Sequence, residues 1–239
     1  MKNSKLIFIL FSVTIFCSFL LLAHIQKMSM NMVAKSLHKG KSVVAKAEVY
    51  YQTTGGLMVT HFTSPIEQVV ITNSKGEYKN YDVQNNTLVQ SMGLDYSSKN
   101  SFFYFFLSGK TQDMGLTAFG YSLKDTRVEK EMVITTYLPP ANSEIKLSKV
   151  EIVHENYAPI FMGFFDLKGK PVQKVFYSNY QETQGLRLPM SITEFEYLPD
   201  GDSVISKRTY SDIKINEQVN SAYLNYKIPV NAKLVKGQE

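Results

Sequence analysis

From Ser42 onward, apolar and polar residues alternate along short segments that are separated by turn-forming residues. A period of two is typical of strands with one buried face, and Gly, Asn, Ser and Pro between such segments are typical of tight turns. The first half of the chain repeats this pattern in VVAKAEVYYQ, GLMVTHF, EQVVITN, EYKNYDV and TLVQSM. Because consecutive hairpins need no crossover, the pattern predicts an antiparallel meander in which neighbours in sequence pair in the sheet.

The alternation resumes in the second half of the chain, from FGYSLKD to the extended YKIPVNAKLV. Two of its turns, LKGKP and LPDGD, contain Gly169 and Gly201, which supply the backbone freedom that a tight connection needs. Together the segments predict a mainly β protein with few helices, built on a single antiparallel sheet of roughly nine to eleven strands. Such a sheet twists, so it is expected to curl and enclose a space.

Two segments favour helices that could fill or cover that space. Near the beginning, Met28, Met32, Val33 and Leu37 recur at helical spacing, which predicts an amphipathic helix over residues 28–38. In the middle of the chain lies the apolar run FFYFFL, residues 102–107, preceded by a cluster of Ser and Asn that would cap a helix. We therefore predict a second, short helix there.

Composition narrows the classes of protein that are compatible with this sheet. The 239 residues include 15 Tyr and 15 Phe but no Trp, and aromatic rings favour strands. The formal net charge is +5, and about +3 remains when Lys2 and Lys5 of the N-terminal segment are subtracted, so no nucleic-acid partner is indicated. Cys17 is the only cysteine. The rest of the chain therefore has no thiol for a disulfide, a metal site or a nucleophile.

The N-terminal segment is typical of an export signal. Two lysines precede an uncharged, mainly apolar run from Leu6 to Ile25, which is long enough to span a bilayer. Residues 1–25 are thus predicted to be either a signal peptide, cleaved before His24, or a retained membrane anchor. Both alternatives place residues 26–239, expected to form a single domain, outside the cytoplasm.

The sequence contains few of the residue clusters that are typical of active sites. The four histidines are far apart in sequence, and no nucleotide-binding or hydrolase motif is present. Glu129 with Glu131, and Asp200 with Asp202, are close carboxylate pairs, but such pairs are common on exposed strands and turns. We predict a protein without a metal, a cofactor or an enzymatic activity. The enzyme alternative would depend on Glu129, Glu131 and His154.

Several short motifs resemble the LolA-type family of periplasmic outer-membrane lipoprotein carriers. Tyr51 and Gln52, a glycine at 55 or 56, Leu57 with Val59, and Pro65 match an early family pattern. The family's turn Asp and following Trp are replaced by Lys75 and Tyr78, whereas Gly76 is retained. Further similarity lies in NSFFYFFLSG, in DLKGKPVQKVFYSNY, in YQETQGLRLPMSITEF, and in the closing segment with Tyr226 and Pro229. The likeness covers roughly residues 28–235.

This resemblance implies an unclosed half β-barrel, covered by short helices, whose apolar cavity binds the acyl chains of lipoproteins or lipid. It implies a monomeric periplasmic carrier that receives its cargo from an inner-membrane release complex and transfers it to an outer-membrane acceptor. The expected apolar lining comprises Leu57, Val59, Ile71, Tyr81, Phe102, Phe103, Phe105 and Phe106.

One departure from the family pattern concerns the lid. In the family, an arginine just before the proline latches the covering helices. This chain has His61, Phe62, Thr63 and Ser64 before Pro65, and none of these is an arginine. The latch is therefore not expected here. A second hypothesis keeps the same fold but makes the protein a sensor or interaction module that stays anchored by residues 6–25.

Overall fold

The computed structural model describes residues 25–141 and 144–236. The described residues form one fourteen-stranded sheet, a single α-helix and five short 3-10 helices. The strands are β1 Lys27–His38, β2 Lys41–Gln52, β3 Leu57–Ser64, β4 Gln68–Thr72, β5 Glu77–Asp82, β6 Thr87–Met92, β7 Ser122–Glu129, β8 Met132–Leu138, β9 Leu147–Glu155, β10 Ala158–Asp166, β11 Pro171–Thr183, β12 Leu186–Tyr197, β13 Ser203–Ile215 and β14 Lys233–Val235. The α-helix, α1, is Phe102–Leu107, and the 3-10 helices are Thr54–Gly56, Leu94–Tyr96, Ser98–Asn100, Leu116–Phe119 and Asn216–Gln218.

The sheet is curved and open. Its strand order is β14-β6-β5-β4-β3-β2-β1-β13-β12-β11-β10-β9-β8-β7, so β14 and β7 are its two edges. Every neighbouring pair is antiparallel except β14 and β6, which are parallel. Neighbours in the sheet are neighbours in sequence apart from the β1–β13 and β14–β6 pairs. The prediction of a mainly β protein with an unclosed half-barrel and few helices is confirmed.

The prediction of an N-terminal helix over residues 28–38 is wrong, because this segment is the central strand β1. It pairs with β2 on one side and β13 on the other, so its backbone hydrogen bonds are made by two neighbours. Met28, Met30 and Met32 are buried with a period of two. Methionine tolerates either conformation, and here the pairing of two long strands overrides the helical spacing.

The expected nine to eleven strands are also too few, since the described residues contain fourteen. One additional strand is β1. The others arise because each short alternating segment pairs as a separate strand, including the three-residue β14, which hydrogen-bonds alongside β6. A short exposed edge strand carries almost no hydrophobic pattern, so sequence periodicity underestimates the number.

The register of the central strands is fixed by a tight turn between β1 and β2. Lys39 and Gly40 adopt positive φ angles of 49° and 72°, as a two-residue hairpin loop requires. His38 therefore pairs with Lys41, and Met32 lies opposite Ala47. A slip by one residue would turn every side chain to the other face.

The two faces of the sheet carry two separate apolar clusters. The inner face, which packs against α1, joins residues from β1, β2 and β8–β13, among them Met28, Ile152, Leu188 and Ile192. The outer face carries a smaller cluster around Tyr50, Val59 and Val69 from β2–β4. Residues 219–236, which we call the C-terminal strap, cover this second cluster with Val219 and Leu224.

Residues 1–24 of the predicted export segment lie outside the part of the chain that the structure describes. Within the part of the chain that is described, no helix is long and apolar enough to cross a membrane.

Candidate ligand-binding cavity

A cavity of about 440 Å³ lies between the inner face of the sheet and α1. This size falls within the range of small-molecule binding sites. We call it the central cavity. Its lining is mainly apolar and consists of Met32, Ala34, Val49, Met58, Thr60, Phe62, Asn100, Ser101, Phe102, Phe103, Phe105, Met114, Tyr177, Ile192, Glu194, Arg208 and Tyr210.

Strand register brings residues from distant parts of the chain to this wall. Phe62 of β3 pairs with Ala47 of β2, Ala47 pairs with Met32 of β1, and Met32 pairs with Tyr210 of β13. One step along, Ala34 pairs with Arg208, and Arg208 pairs with Ile192 of β12. Each row crosses the sheet, so side chains more than 150 positions apart in sequence become neighbours.

Helix α1 forms the roof of the cavity and is tied to the sheet at its beginning. The hydroxyl of Ser101 caps it by accepting a hydrogen bond from the backbone N–H of Tyr104. Just before, the buried Ser98 hydroxyl donates to the Gly56 carbonyl at 2.6 Å, and Ser98 N–H donates to the Asn73 carbonyl. These bonds hold the helix N-terminus over the β2–β3 and β4–β5 turns.

The aromatic residues of α1 pack against tyrosines of the inner face. Phe103 stacks on Tyr51 with ring centroids 6.0 Å apart, and Phe102 lies 4.9 Å from Tyr210. Phe106 approaches Tyr177 at 6.3 Å. The predicted short helix over the FFYFFL run is confirmed, and its rings close the cavity from above.

A second cavity, of about 700 Å³, lies beside the first. We call it the side cavity. The two share four wall residues, Asn100, Phe105, Met114 and Tyr177. Gly115 allows the loop to pass close beneath the helix, because a Cβ atom there would lie 2.6 Å from the Phe105 ring. Phe105 and Met114 therefore form a thin partition between two apolar spaces.

Among the described residues, two charged side chains line the central cavity. Arg208 and Glu194 form an ion pair there, with 39% and 29% of their side chains exposed. Burial raises the pKa of the Tyr210 hydroxyl to about 12, with Arg208 lowering and Glu194 raising it. The pKa of Tyr177 is also raised, first by burial and then by Glu194. Both hydroxyls are therefore protonated at neutral pH and can donate hydrogen bonds.

The structure divides the eight residues expected to line the cavity. Phe102, Phe103 and Phe105 line the central cavity, and Phe106 packs in the inner cluster beside them. Val59 and Tyr81 instead lie on the outer face, in contact with the cluster under the strap. Leu57 and Ile71 line a groove of about 520 Å³ between the outer face and the strap. The four strand residues are thus not brought together with the four phenylalanines.

Leu57 and Val59, the predicted lining residues of β3, belong to the set of alternate positions that faces outward. Met58, Thr60 and Phe62 face the cavity, whereas Leu57, Val59 and His61 face outward. Both sets are apolar enough to be buried, so alternation alone does not say which one faces α1. Arg208 and Glu194 were also missed. A usable signal was present, because Glu194 follows Met190 and Ile192 at every second position of β12.

In the segment before Pro65, which lacks the family's latching arginine, His61 makes its contacts on the outer face of the sheet. His61 Nε2 lies 3.1 Å from Glu67 Oε1 and 3.2 Å from the Tyr223 hydroxyl, and its ring stacks on Tyr223. His61 therefore contacts the strap and not α1. Its neighbour Phe62 is the residue of this segment that lines the cavity.

Two of the three candidate catalytic residues lie near each other, and the third does not. Glu131 and His154 line a shared groove at the β8–β9 end of the sheet. His154 Nε2 is 2.8 Å from the Thr111 carbonyl, so this nitrogen acts as a donor. Glu129 pairs with Arg127 on β7 instead. Among the described residues, no group of three or more His, Cys, Asp or Glu could hold a metal ion.

Comparison with known proteins agrees with the geometry at the level of fold. No protein-family model matches the sequence, and a search of curated proteins finds no match. Solved structures do match. A DUF1329 family protein from Desulfovibrio piger has a TM-score of 0.58 at 15% identity, covering 86% of this chain and 92% of its own.

Two further structures match, one of a LolA superfamily protein and one of a lipoprotein-sorting domain. A LolA superfamily protein from Nitrosomonas europaea has a TM-score of 0.53 at 11% identity, covering 83% of this chain and 90% of its own. An outer membrane lipoprotein-sorting protein domain from Vibrio parahaemolyticus has a TM-score of 0.56 at 9% identity, covering 82% and 88%. The resemblance to LolA-type proteins is therefore confirmed as a shared fold.

Proposed function

We propose that this protein is a non-enzymatic periplasmic carrier that binds the acyl chains of lipoproteins or lipid in the central cavity and transfers them toward the outer membrane. The observation that carries the proposal is an apolar space of about 440 Å³ roofed by the phenylalanines of α1. In a well-packed domain such a space would be filled by side chains. The side cavity, on the other side of Phe105 and Met114, provides further apolar space beside it.

The energetics of binding require no further chemistry. Each methylene that moves from water into an apolar site contributes about 0.8 kcal/mol. A chain of ordinary length would thus gain enough to offset the cost of association. The shared fold with a LolA superfamily protein and a lipoprotein-sorting domain supports the same class of cargo.

The test fills the cavity from within. Ala34 is half-buried and lines the central cavity, so Ala34→Trp would place an indole ring where the ligand is expected. Binding of a fluorescent fatty-acyl probe, followed by fluorescence titration, is expected to weaken by about tenfold or more, which corresponds to a loss of 1.4 kcal/mol.

The matched control is Ala232→Trp, because Ala232 is also half-buried but lines the groove under the strap. This variant is expected to bind the probe as the wild type does. If Ala232→Trp and not Ala34→Trp abolished binding, the ligand would occupy the outer face. If the protein purified from its own envelope carried no lipid by native mass spectrometry and neither form bound the probe, the carrier function would be refuted.

A further inference from the structure

The Arg208–Glu194 pair lies where the lining of the central cavity changes from apolar to polar side chains. Arg208 belongs to a row in which its cross-strand partners are Ala34 and Ile192, and Ile192 pairs in turn with Tyr177. Glu194 is in the next row, opposite Ser206, whose hydroxyl is 3.4 Å from that of Ser36. The inner face therefore changes from apolar to polar along the strands, and the ion pair lies at the boundary.

Much of the hydrogen-bonding capacity of this pair is unused by the protein. Nη2 of Arg208 contacts Oε1 of Glu194, and within the described residues no other hydrogen bond is made by either side chain. A guanidinium has five N–H donors and a carboxylate has two acceptor oxygens. Tyr177 and Tyr210 line the same cavity, and their hydroxyls likewise have no hydrogen-bond partner among residues 25–141 and 144–236.

Opposite charges side by side restrict the kind of polar group that can approach. An acidic headgroup would be attracted by Arg208 but repelled by Glu194, and a cationic headgroup would meet the reverse arrangement. An uncharged group with carbonyl and hydroxyl or amide functions can accept from the guanidinium and donate to the carboxylate without opposing charge. A partly buried site makes this discrimination stronger than it would be in water.

We propose that Arg208 and Glu194 form the headgroup site of the cavity, selecting amphiphiles whose acyl chain is attached through an ester or amide to an uncharged hydroxyl- or amide-bearing group. Acylglycerols and acylated peptide ends share this chemistry. Free fatty acids and cationic amphiphiles are disfavoured. This inference rests on the proposed function, since it assumes that an acyl chain occupies the central cavity.

The experiment compares ligands that share one chain length and differ in headgroup. Monopalmitoylglycerol, N-palmitoyl glycinamide, palmitate and hexadecyltrimethylammonium are titrated, below their aggregation concentrations, as competitors of a fluorescent acyl probe. The wild type is expected to bind the two uncharged ligands most tightly. The stronger of these two identifies whether a lipid or an acylated peptide is the better cargo.

Single charge removals should reverse the selectivity. Glu194→Gln leaves Arg208 without its counter-ion, so palmitate is expected to gain about tenfold in affinity relative to monopalmitoylglycerol. Arg208→Gln should produce a similar gain for the cationic ligand. The double variant removes both charges, which is often tolerated for paired groups, and should lose discrimination against either charge.

Glu129→Gln is the matched control, because Glu129 forms an Arg–Glu pair with Arg127 on the edge strand β7, away from the cavity. Its ligand preferences should equal those of the wild type. If Arg208→Gln fails to fold, Glu194→Gln alone still decides. Unchanged headgroup preference in Glu194→Gln, or equal wild-type affinity for palmitate and monopalmitoylglycerol, would overturn the headgroup site. Absence of binding by all four ligands would instead refute the carrier function.

Discussion

The two faces of the sheet differ in what covers them. Adjacent residues of β3 illustrate the contrast, since Met58 lines the central cavity while Val59 is only 1% exposed in the outer cluster. The outer cluster is covered by the strap, with Tyr223 stacked on both Tyr50 and His61. The inner face is roofed by α1 but keeps an apolar space of about 440 Å³. Both faces are thus covered by segments of the same chain. The strap packs closely over the cluster around Val59 and leaves its groove to one side, near Leu57 and Ile71, whereas α1 leaves its apolar space directly against the inner face.

Removal of the strap should have the largest effect on the difference between the two faces, because it uncovers the outer cluster. A chain that ends at Gln218 loses Val219 and Leu224, two buried side chains of the outer cluster. Each such side chain contributes about 1.5–3 kcal/mol, so the free energy of unfolding should fall by about 3–6 kcal/mol. Urea unfolding followed by circular dichroism measures the loss.

The truncated chain should also bind an additional equivalent of a hydrophobic dye, because Val59 and Val69 become accessible. A chain that ends at Asn231 is the control. It lacks β14, whose residues are exposed, and should lose less than about 1 kcal/mol. Equal stability of the two truncated chains would mean that the strap does not cover a core.

Neighbouring substitutions in β3 provide a finer test of the same contrast. Val59→Ala removes two methyl groups from a closely packed site and should lower the free energy of unfolding by about 2–3 kcal/mol. Met58 is only half-buried and borders the cavity, so Met58→Ala removes fewer packing contacts and should cost less, about 1 kcal/mol. Urea unfolding measures both.

Acyl-probe titration should give the reverse ranking for these two variants. Met58→Ala is expected to change affinity, and Val59→Ala is expected to leave it unchanged. A large loss of stability in Met58→Ala would show that the cavity wall is packed as closely as the outer cluster.

The sequence predicted the curved antiparallel sheet and the roofing helix, because alternation and capping residues are local signals. It did not predict that residues 28–38 form the central strand, since the partner β13 lies about 180 positions away along the chain. The same limit explains the choice of Leu57 and Val59 for the lining. Alternation reports that β3 has two kinds of position, but only the strand register and the place of α1 decide which face is inside.

The ion pair in the central cavity shows a related limit. Arg208 and Glu194 are 14 positions apart and become neighbours only through the pairing of β12 with β13. Each, taken alone, looks like an ordinary surface charge. Period-two alternation does place Glu194 on the face of Ile192, and a charge in line with buried aliphatic residues is a sign worth following in other curved sheets.

Ionisation of a buried tyrosine is expected to weaken the inner face at high pH. The pKa of Tyr210 is raised by burial to about 12, whereas an unfolded tyrosine titrates near 10. The stabilising contribution is therefore complete below pH ~10 and is lost as pH rises toward ~12, because the unfolded chain releases the proton first. At pH ~12 the loss should approach about 2 kcal/mol.

Tyr210→Phe removes this contribution, so its free energy of unfolding should fall less steeply than that of the wild type between pH ~10 and pH ~12. Urea unfolding across this range measures the difference. Tyr157→Phe serves as the control, because Tyr157 is fully exposed and its substitution should leave the wild-type slope unchanged. Parallel curves for wild type and Tyr210→Phe would mean that the Tyr210 hydroxyl reaches solvent at the cavity.

The smallest expected difference in stability concerns the partition between the two inner cavities, and it is tested by a matched pair of glycine substitutions. Gly115 and Gly169 both have positive φ angles, 83° and 77°. A Cβ at Gly115 would contact the Phe105 ring, whereas a Cβ at Gly169 would meet nothing within 4 Å. Gly169→Ala therefore measures the backbone cost alone, about 1 kcal/mol. Gly115→Ala should cost about 1 kcal/mol more, since the ring must shift.

Displacement of Phe105 should change ligand binding as well as stability, because this ring contributes to the walls of both the central and the side cavity. Gly115→Ala is expected to weaken acyl-probe binding by about threefold, and Gly169→Ala should leave it unchanged. If both variants bind the probe like the wild type while Gly115→Ala loses stability, the ring shifts without narrowing either space, and the ligand does not reach the partition. Weaker binding confined to Gly115→Ala would place the chain of the ligand against Phe105.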